Sequence, residues 1–317
     1  MLRRGAFVLA LLALSSCRVL PAQDQRGSRL QLQDAERFAQ VFEAGKGAPD
    51  ETALQRGYLD PASPALSAYV PEYIVDAATM AKAVSAAPGK YRHAVETCLP
   101  LLAGLAPFLE DVQMRHADLI PDAQPVDVVA LLGADNSAGT VVERRIVLGL
   151  ERVCDGIDDE AGLRERLRWL VAHEWVHAQQ PGMTDADRRS LPAWALREGV
   201  ANFLAAKALG GDAGASDHEW AVAREAGLWR EFQRDAATMR EHWPPGGEPD
   251  ARAIEAGTRW MWNDAEPEGR PADLGYWIGQ RIVAAWFARQ PDKEKAAREL
   301  LRMESPEAFV EGSGYAP

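Results

Sequence analysis

The sequence predicts an α+β fold that is mostly helical, with one small sheet placed directly before a helix that carries two histidines. Three observations predict it. Apolar residues recur three and four apart over most of residues 31–120 and again from about residue 158, the spacing of helices packed on one face. Runs of β-branched residues are confined to residues 126–153, between clusters of turn formers. The stretch VAHEWVHAQQ, Val171 to Gln180, then places H-E-x-x-H on a helix whose apolar stripe runs into it.

The chain begins MLRRGAFVLALLALSSC, with Arg3 and Arg4 ahead of an apolar run from Ala6 to Leu14. That run is too short to span a bilayer and suits a signal-peptide core. Leu14, Ser15, Ser16 and Cys17 resemble the bacterial lipobox, in which the cysteine is acylated and becomes the mature N-terminus; a plain secretory signal with an incidental cysteine is the alternative. Arg18, where inner-membrane retention favours Asp, implies the outer membrane. The expected layout is a signal at 1–17, a polar tether at 18–30 and one folded unit at 31–317.

Within that unit, residues 31–124 read as helices, with Pro100 and Pro107 expected to break or kink the last of them. Residues 125–155 hold the sheet: VDVVALLG ends at the turn formers ADNSAG, and TVVERRIVLGLERV supplies one or two further strands. The sheet is expected to be antiparallel, with RRIVLGLE as the edge strand beside the motif helix. Residues 156–210 form two helices. The first starts at Asp158 or Asp159, buries Leu163, Leu167, Leu170 and Val171, and stops at Pro181 and Gly182. The second, LPAWALREGVANFLAAKALGG, carries Pro192 in its first turn and ends at Gly210 and Gly211. Residues 211–317 are helical.

Composition narrows the function. With 35 Lys and Arg against 47 Asp and Glu, the net charge is −12 and no basic cluster stands out, so no nucleic-acid partner is expected. Cys98 and Cys154 are the only cysteines besides Cys17; they read either as a disulfide of an oxidising compartment or as two buried thiols.

The motif carries the chemistry. His173 and His177, one helical turn apart, can reach one ion, while Glu174 beside them points at an open coordination position. In a chain of this length the pattern arises by chance about once in a hundred, so the third ligand decides. Catalytic zinc takes three protein ligands and leaves one position open. Glu198, on the second helix 21 positions after His177, is the candidate third ligand. Asn202, one turn beyond Glu198, would hold the outer nitrogen of a histidine. His93, His116, His218 and His242 read as ordinary surface or core histidines. The Trp-rich segment Arg259–Pro271 reads as packing under a loop, with a substrate groove as the alternative.

H-E-W-V-H followed by R-E-G-V-A-N-F resembles the gluzincin branch of the zincin metallopeptidases. More closely, the chain is similar to a bacterial family of predicted zinc-dependent proteases with an H-E-x-x-H motif. The shared features are the strand IVLGLE, the two ligand helices, GYWIG at Gly275–Gly279 and the terminal S-G-Y at Ser313–Tyr315. The resemblance implies a zincin-like fold and one Zn²⁺ held by His173, His177 and Glu198. It also implies peptide hydrolysis with Glu174 as general base, and Tyr276 as the candidate donor to the oxyanion. The expected partners are a peptide or protein substrate and, through a lipid on Cys17, the membrane. The expected location is the bacterial cell envelope, on the periplasmic face of the outer membrane. Hydrolysis of a cell-wall peptide or other amide, or an inactive zincin serving as a binding lipoprotein, are the alternatives.

Overall fold

The structure is a computed structural model that describes residues 29–211, 219–263 and 269–317. Cys17, the signal-like segment, residues 18–28 of the tether and His218 lie outside these residues. The described chain is mostly helical with one small sheet, an α+β arrangement. Among the described residues no helix is long and apolar enough to cross a membrane.

The sheet is mixed, not antiparallel. Its strands β1 (Leu30–Gln31), β2 (Val128–Leu131), β3 (Gly139–Val142) and β4 (Arg145–Gly149) lie in the order β1-β2-β4-β3. β3 and β4 form a hairpin that turns through Glu143 and Arg144, with φ of 46° and 63°, the left-handed pair a two-residue hairpin loop needs. The chain leaves β2, runs outward to β3 and returns through this hairpin into the gap, so β4 is parallel to β2. Runs of β-branched residues mark strands without giving their direction, which is why the sequence misjudges the topology. Two boundaries move as well. RRIVLGLE lies inside the sheet, whose edge strands are β1 and β3. The folded unit begins before residue 31, because Leu30 pairs with Val128 and the Arg29 N–H donates to Asp127.

Residues 51–119 form short helices joined by π-turns at 55–59, 70–74 and 94–98. Pro107 sits in the first turn of Ala106–Leu119, where a missing N–H costs nothing, and starts that helix, whereas Pro100 follows directly on the π-turn 94–98 in a helical run that continues to Ala103. Cys98 and Cys154 are bonded, with Cα atoms 6.0 Å apart, and tie this region to the turn after β4. Just ahead of that turn, Glu151 is fully buried and accepts the N–H groups of Gly133 (2.9 Å) and Asp135 (3.3 Å). It thereby fixes the loop from β2 to β3. Burial pushes its carboxyl up to about 7.

The motif helix, Glu160–Gln179, starts on Asp159, whose carboxylate accepts the Gly162 N–H at 2.8 Å. Leu163, Leu167 and Val171 are fully buried, so the helix is held along the stripe that leads to the histidines. The return helix, Leu191–Ala208, starts on Ser190, has Pro192 in its first turn, and is followed by Gly210 at φ 74°. It crosses the helix Leu274–Ala288 at backbone contact. A Cβ added to Gly199 would lie 2.6 Å from the Gly279 Cα and closer still to the next peptide, and one added to Gly279 would run into the Ala195 carbonyl. Only a pair of glycines permits that approach.

A candidate metal centre

Two helices supply three donor atoms to one point. His173 and His177 project from the motif helix and Glu198 from the return helix, with side chains only 12%, 10% and 12% exposed. The His173 Nε2 lies 3.0 Å from the His177 Nε2, and the Glu198 Oε2 lies 3.2 Å and 3.0 Å from these two nitrogens.

The other ring nitrogens decide what those atoms offer. The Gln180 amide nitrogen donates to the Arg197 carbonyl at 3.1 Å, which turns its Oε1 toward His177 Nδ1 at 2.7 Å. An oxygen there accepts, so Nδ1 carries the proton and Nε2 of the neutral ring presents a lone pair. Asn202 does the same for His173, its Oδ1 lying 2.9 Å from Nδ1. Two nitrogen lone pairs and a carboxylate oxygen therefore converge, an arrangement that repels itself unless a cation sits among them. A tetrahedral ion with bonds of about 2.0–2.2 Å holds its donors about 3.3–3.5 Å apart, close to the observed triangle. The group of His173, His177 and Glu198 can thus hold a metal ion.

Glu174 is not one of the three. It is 7% exposed on the neighbouring face of the helix, under β3, where a Cβ on Gly139 would come within 3.3 Å of its Cγ. Burial pushes its carboxyl up to about 7, and the Glu198 charge adds to the shift. Arg197 lies nearby and donates to the Pro181 carbonyl at 2.9 Å.

Tyr276 is brought to the same place by the glycine crossing. Its ring lies 6.4 Å from that of His173 at 21°, and burial, helped by Glu198, raises its phenol well above the usual range. The remaining predicted ordinary histidines stay apart from the triad. His93 bonds the Ile157 carbonyl, His242 bonds Asp250, and His116 packs on Trp175 with its Nδ1 on the Val112 carbonyl. Burial lowers His116 to about 4, which keeps it neutral.

Three contributors are absent from the sequence expectation. Gln180 lies three residues after His177 on the same face, and that spacing made it readable. Trp194 precedes Glu198 by one turn, as Asn202 follows it by one, and was equally readable. Tyr73 was not: its hydroxyl is 2.9 Å from Thr140 Oγ1 on β3, across 67 residues, with Glu174 among the charges raising its phenol.

No family model, curated protein or solved structure matches this chain.

Proposed function

We propose that the chain is a zincin-like zinc metallopeptidase that hydrolyses peptide bonds. One observation carries the reading: a largely buried set of two imidazoles and a carboxylate, with a second, buried carboxylate beside it on the helix of the histidines and outside the ligand set. A scaffold that only bound metal would have no use for Glu174. Two histidines and a carboxylate also suit Fe²⁺, and the neighbouring free carboxylate favours hydrolysis over oxygen chemistry.

Zinc held by His173, His177 and Glu198 supplies a Lewis acid and lowers the pKa of its water toward about 7. The protein's own residues do the rest. Glu174 takes the proton from the attacking water and delivers it to the leaving amine. Tyr276 donates its hydroxyl to the developing oxyanion. Asn202 and Gln180 keep both rings in the ligating tautomer. The outer edge of β3 pairs with the extended substrate backbone, a role supported by its contact with the Glu174 helix and by its place at the end of the sheet. The lipobox-like Cys17 extends the proposal to a lipid-anchored enzyme of the bacterial envelope, on the periplasmic face of the outer membrane; labelled palmitate should enter the wild type and not Cys17→Ser.

The test of the activity is a diverse peptide mixture incubated with wild type and Glu174→Gln and read by mass spectrometry. Wild type should carry about one zinc per chain and cleave, whereas Glu174→Gln should keep the zinc and leave the mixture intact. Identical profiles overturn the peptidase reading, and zinc retained by Glu198→Ala overturns the ligand set.

A further inference from the structure

An aromatic wall leads away from the triad. Its inner end is the His173 ring, followed by Tyr276 at 6.4 Å between ring centroids. Trp262 lies beside Tyr276, near enough for its indole to bear on the phenol. Trp262 packs on Trp194 at 4.9 Å, and Trp194 packs edge-on against Trp243 at 6.2 Å. Trp194 stands one helical turn before Glu198 on the same face, so the wall is continuous with the ligand helix.

The outermost surface of this wall is held open. Trp262 is 61% exposed, although burying an indole is strongly favoured. Its backbone is left-handed, with φ of 56°, a conformation that bulky side chains disfavour. The neighbouring chain enforces this. The Asn263 N–H donates to the Asp273 carboxylate at 3.2 Å, the Asp273 N–H returns to the Asn263 side chain at 2.8 Å, and the Gly275 N–H donates to the Trp260 carbonyl at 2.8 Å. Trp194 is seated by Gly257, where a Cβ would lie 2.8 Å from its ring. A strained backbone that displays an indole beside a metal centre points to a binding role.

We propose that this wall is a specificity subsite that takes a bulky aromatic or aliphatic side chain of the peptide substrate, a proposal that rests on the peptidase reading. Flat indole and phenol faces bind such groups by dispersion and ring stacking. A sugar ring also stacks on indole, but it needs polar partners for its hydroxyls, and several of the polar groups here are already bonded within the protein. The Trp243 N–H is on the Gly247 carbonyl at 3.0 Å, and Asn263 and Asp273 bond each other.

The test has two arms. In the first, the zinc-loaded full chain is given a series of acetylated alanine peptides in which one Phe moves along the sequence, and kcat/KM is compared with the all-Ala peptide. One Phe position should be preferred by about tenfold or more. That ratio should collapse toward one in Trp262→Ala and be largely restored in Trp262→Phe. Cleavage without a Phe preference, or a ratio unchanged in Trp262→Ala, overturns the subsite and leaves the peptidase standing. In the second arm, binding of the preferred Phe peptide, the all-Ala peptide and triacetylchitotriose to zinc-loaded Glu174→Gln is measured by calorimetry. Tighter binding of the Phe peptide that depends on Trp262 supports the subsite even if wild type cleaves nothing, in which case only the peptidase reading fails. Binding of the chitotriose alone overturns the proposal in favour of a glycan.

Discussion

Replacing Gln180 with Leu removes a contact that no metal ion makes, and the structure sets how much should be lost. The Gln180 oxygen lies 2.7 Å from His177 Nδ1, and its nitrogen is committed to the Arg197 carbonyl at 3.1 Å. Leu keeps most of the volume and deletes the acceptor. His177 is then free to carry its proton on Nε2 or to rotate, and either excludes it as a ligand. Loss of such an outer partner costs about 10–100-fold in metal affinity, or about 1.4–2.7 kcal/mol. The cost through Arg197 is small, because that carbonyl lies within the return helix and keeps its helical partner. Zinc affinity is read by competition with a chelating indicator, and the tautomer by long-range proton–nitrogen NMR of the histidines. Gln180→Leu should bind zinc at least about tenfold more weakly, Gln180→Glu should keep an acceptor and hold its affinity, and both should melt close to wild type. An affinity for Gln180→Leu within about twofold of wild type, with His177 still protonated on Nδ1, would refute the claim that the amide orients the ligand.

Two further outcomes follow from the packing around the site. Gly199→Ala drives a methyl into the backbone of Gly279, which cannot move aside as a side chain would, so the two helices must part. The expected cost is about 1–3 kcal/mol, seen as a Tm lower by about 2–6 °C together with weakened zinc binding, since Glu198 is the adjacent residue; an unchanged melt would show that the crossing is loose. Glu151 makes stability depend on pH. Its carboxyl is raised by burial to about 7, so between about pH 4.5 and 7 the native state holds a proton the unfolded chain has lost, and stability falls as pH rises, by about 3 kcal/mol in all. Below that window both states are protonated and above it both are ionised, so the dependence is confined to it. Glu151→Gln should flatten the slope of stability against pH in this range by one proton's worth, and an unaltered slope contradicts the assignment.

Much of the helical frame was legible because it is written locally. Asp159 and Ser190 cap the two ligand helices, Pro181 follows the end of one, and Gly210 closes the other, all within a turn of where the residue types place them. The group that can hold a metal ion was legible for the same reason: spacings of four put His173 with His177, and Glu198 with Asn202, on common faces. What the sequence hid was long-range. The direction of β4 depends on a hairpin that folds back between β2 and β3, and nothing in RRIVLGLE distinguishes an inner strand from an edge one. Tyr73 reaches Thr140 only after the helical N-terminal part has wrapped around the sheet. A smaller surprise is that Leu30, the last residue of an apparent tether, forms a strand with Gln31, too short to show a periodicity.

The glycines explain why the chemistry sits where it does. Glu198 precedes Gly199, which touches Gly279, and Gly279 lies one turn after Tyr276. Glu174 lies under Gly139, the first residue of the edge strand, where a side chain would press on both Leu170 and the carboxylate stem. At the helix crossing the missing side chains let two backbones touch, and at Gly139 the missing side chain lets the strand lie on the Glu174 stem. Donors must be placed within a few tenths of an ångström for a metal to use them, and long side chains packed between elements leave more slack than that. Backbone-to-backbone contact removes the slack. On this view the E-G of the return helix and the G-Y-W-I-G of its partner are one device read twice, once from each helix: the glycines set the distance, and the residues beside them use it.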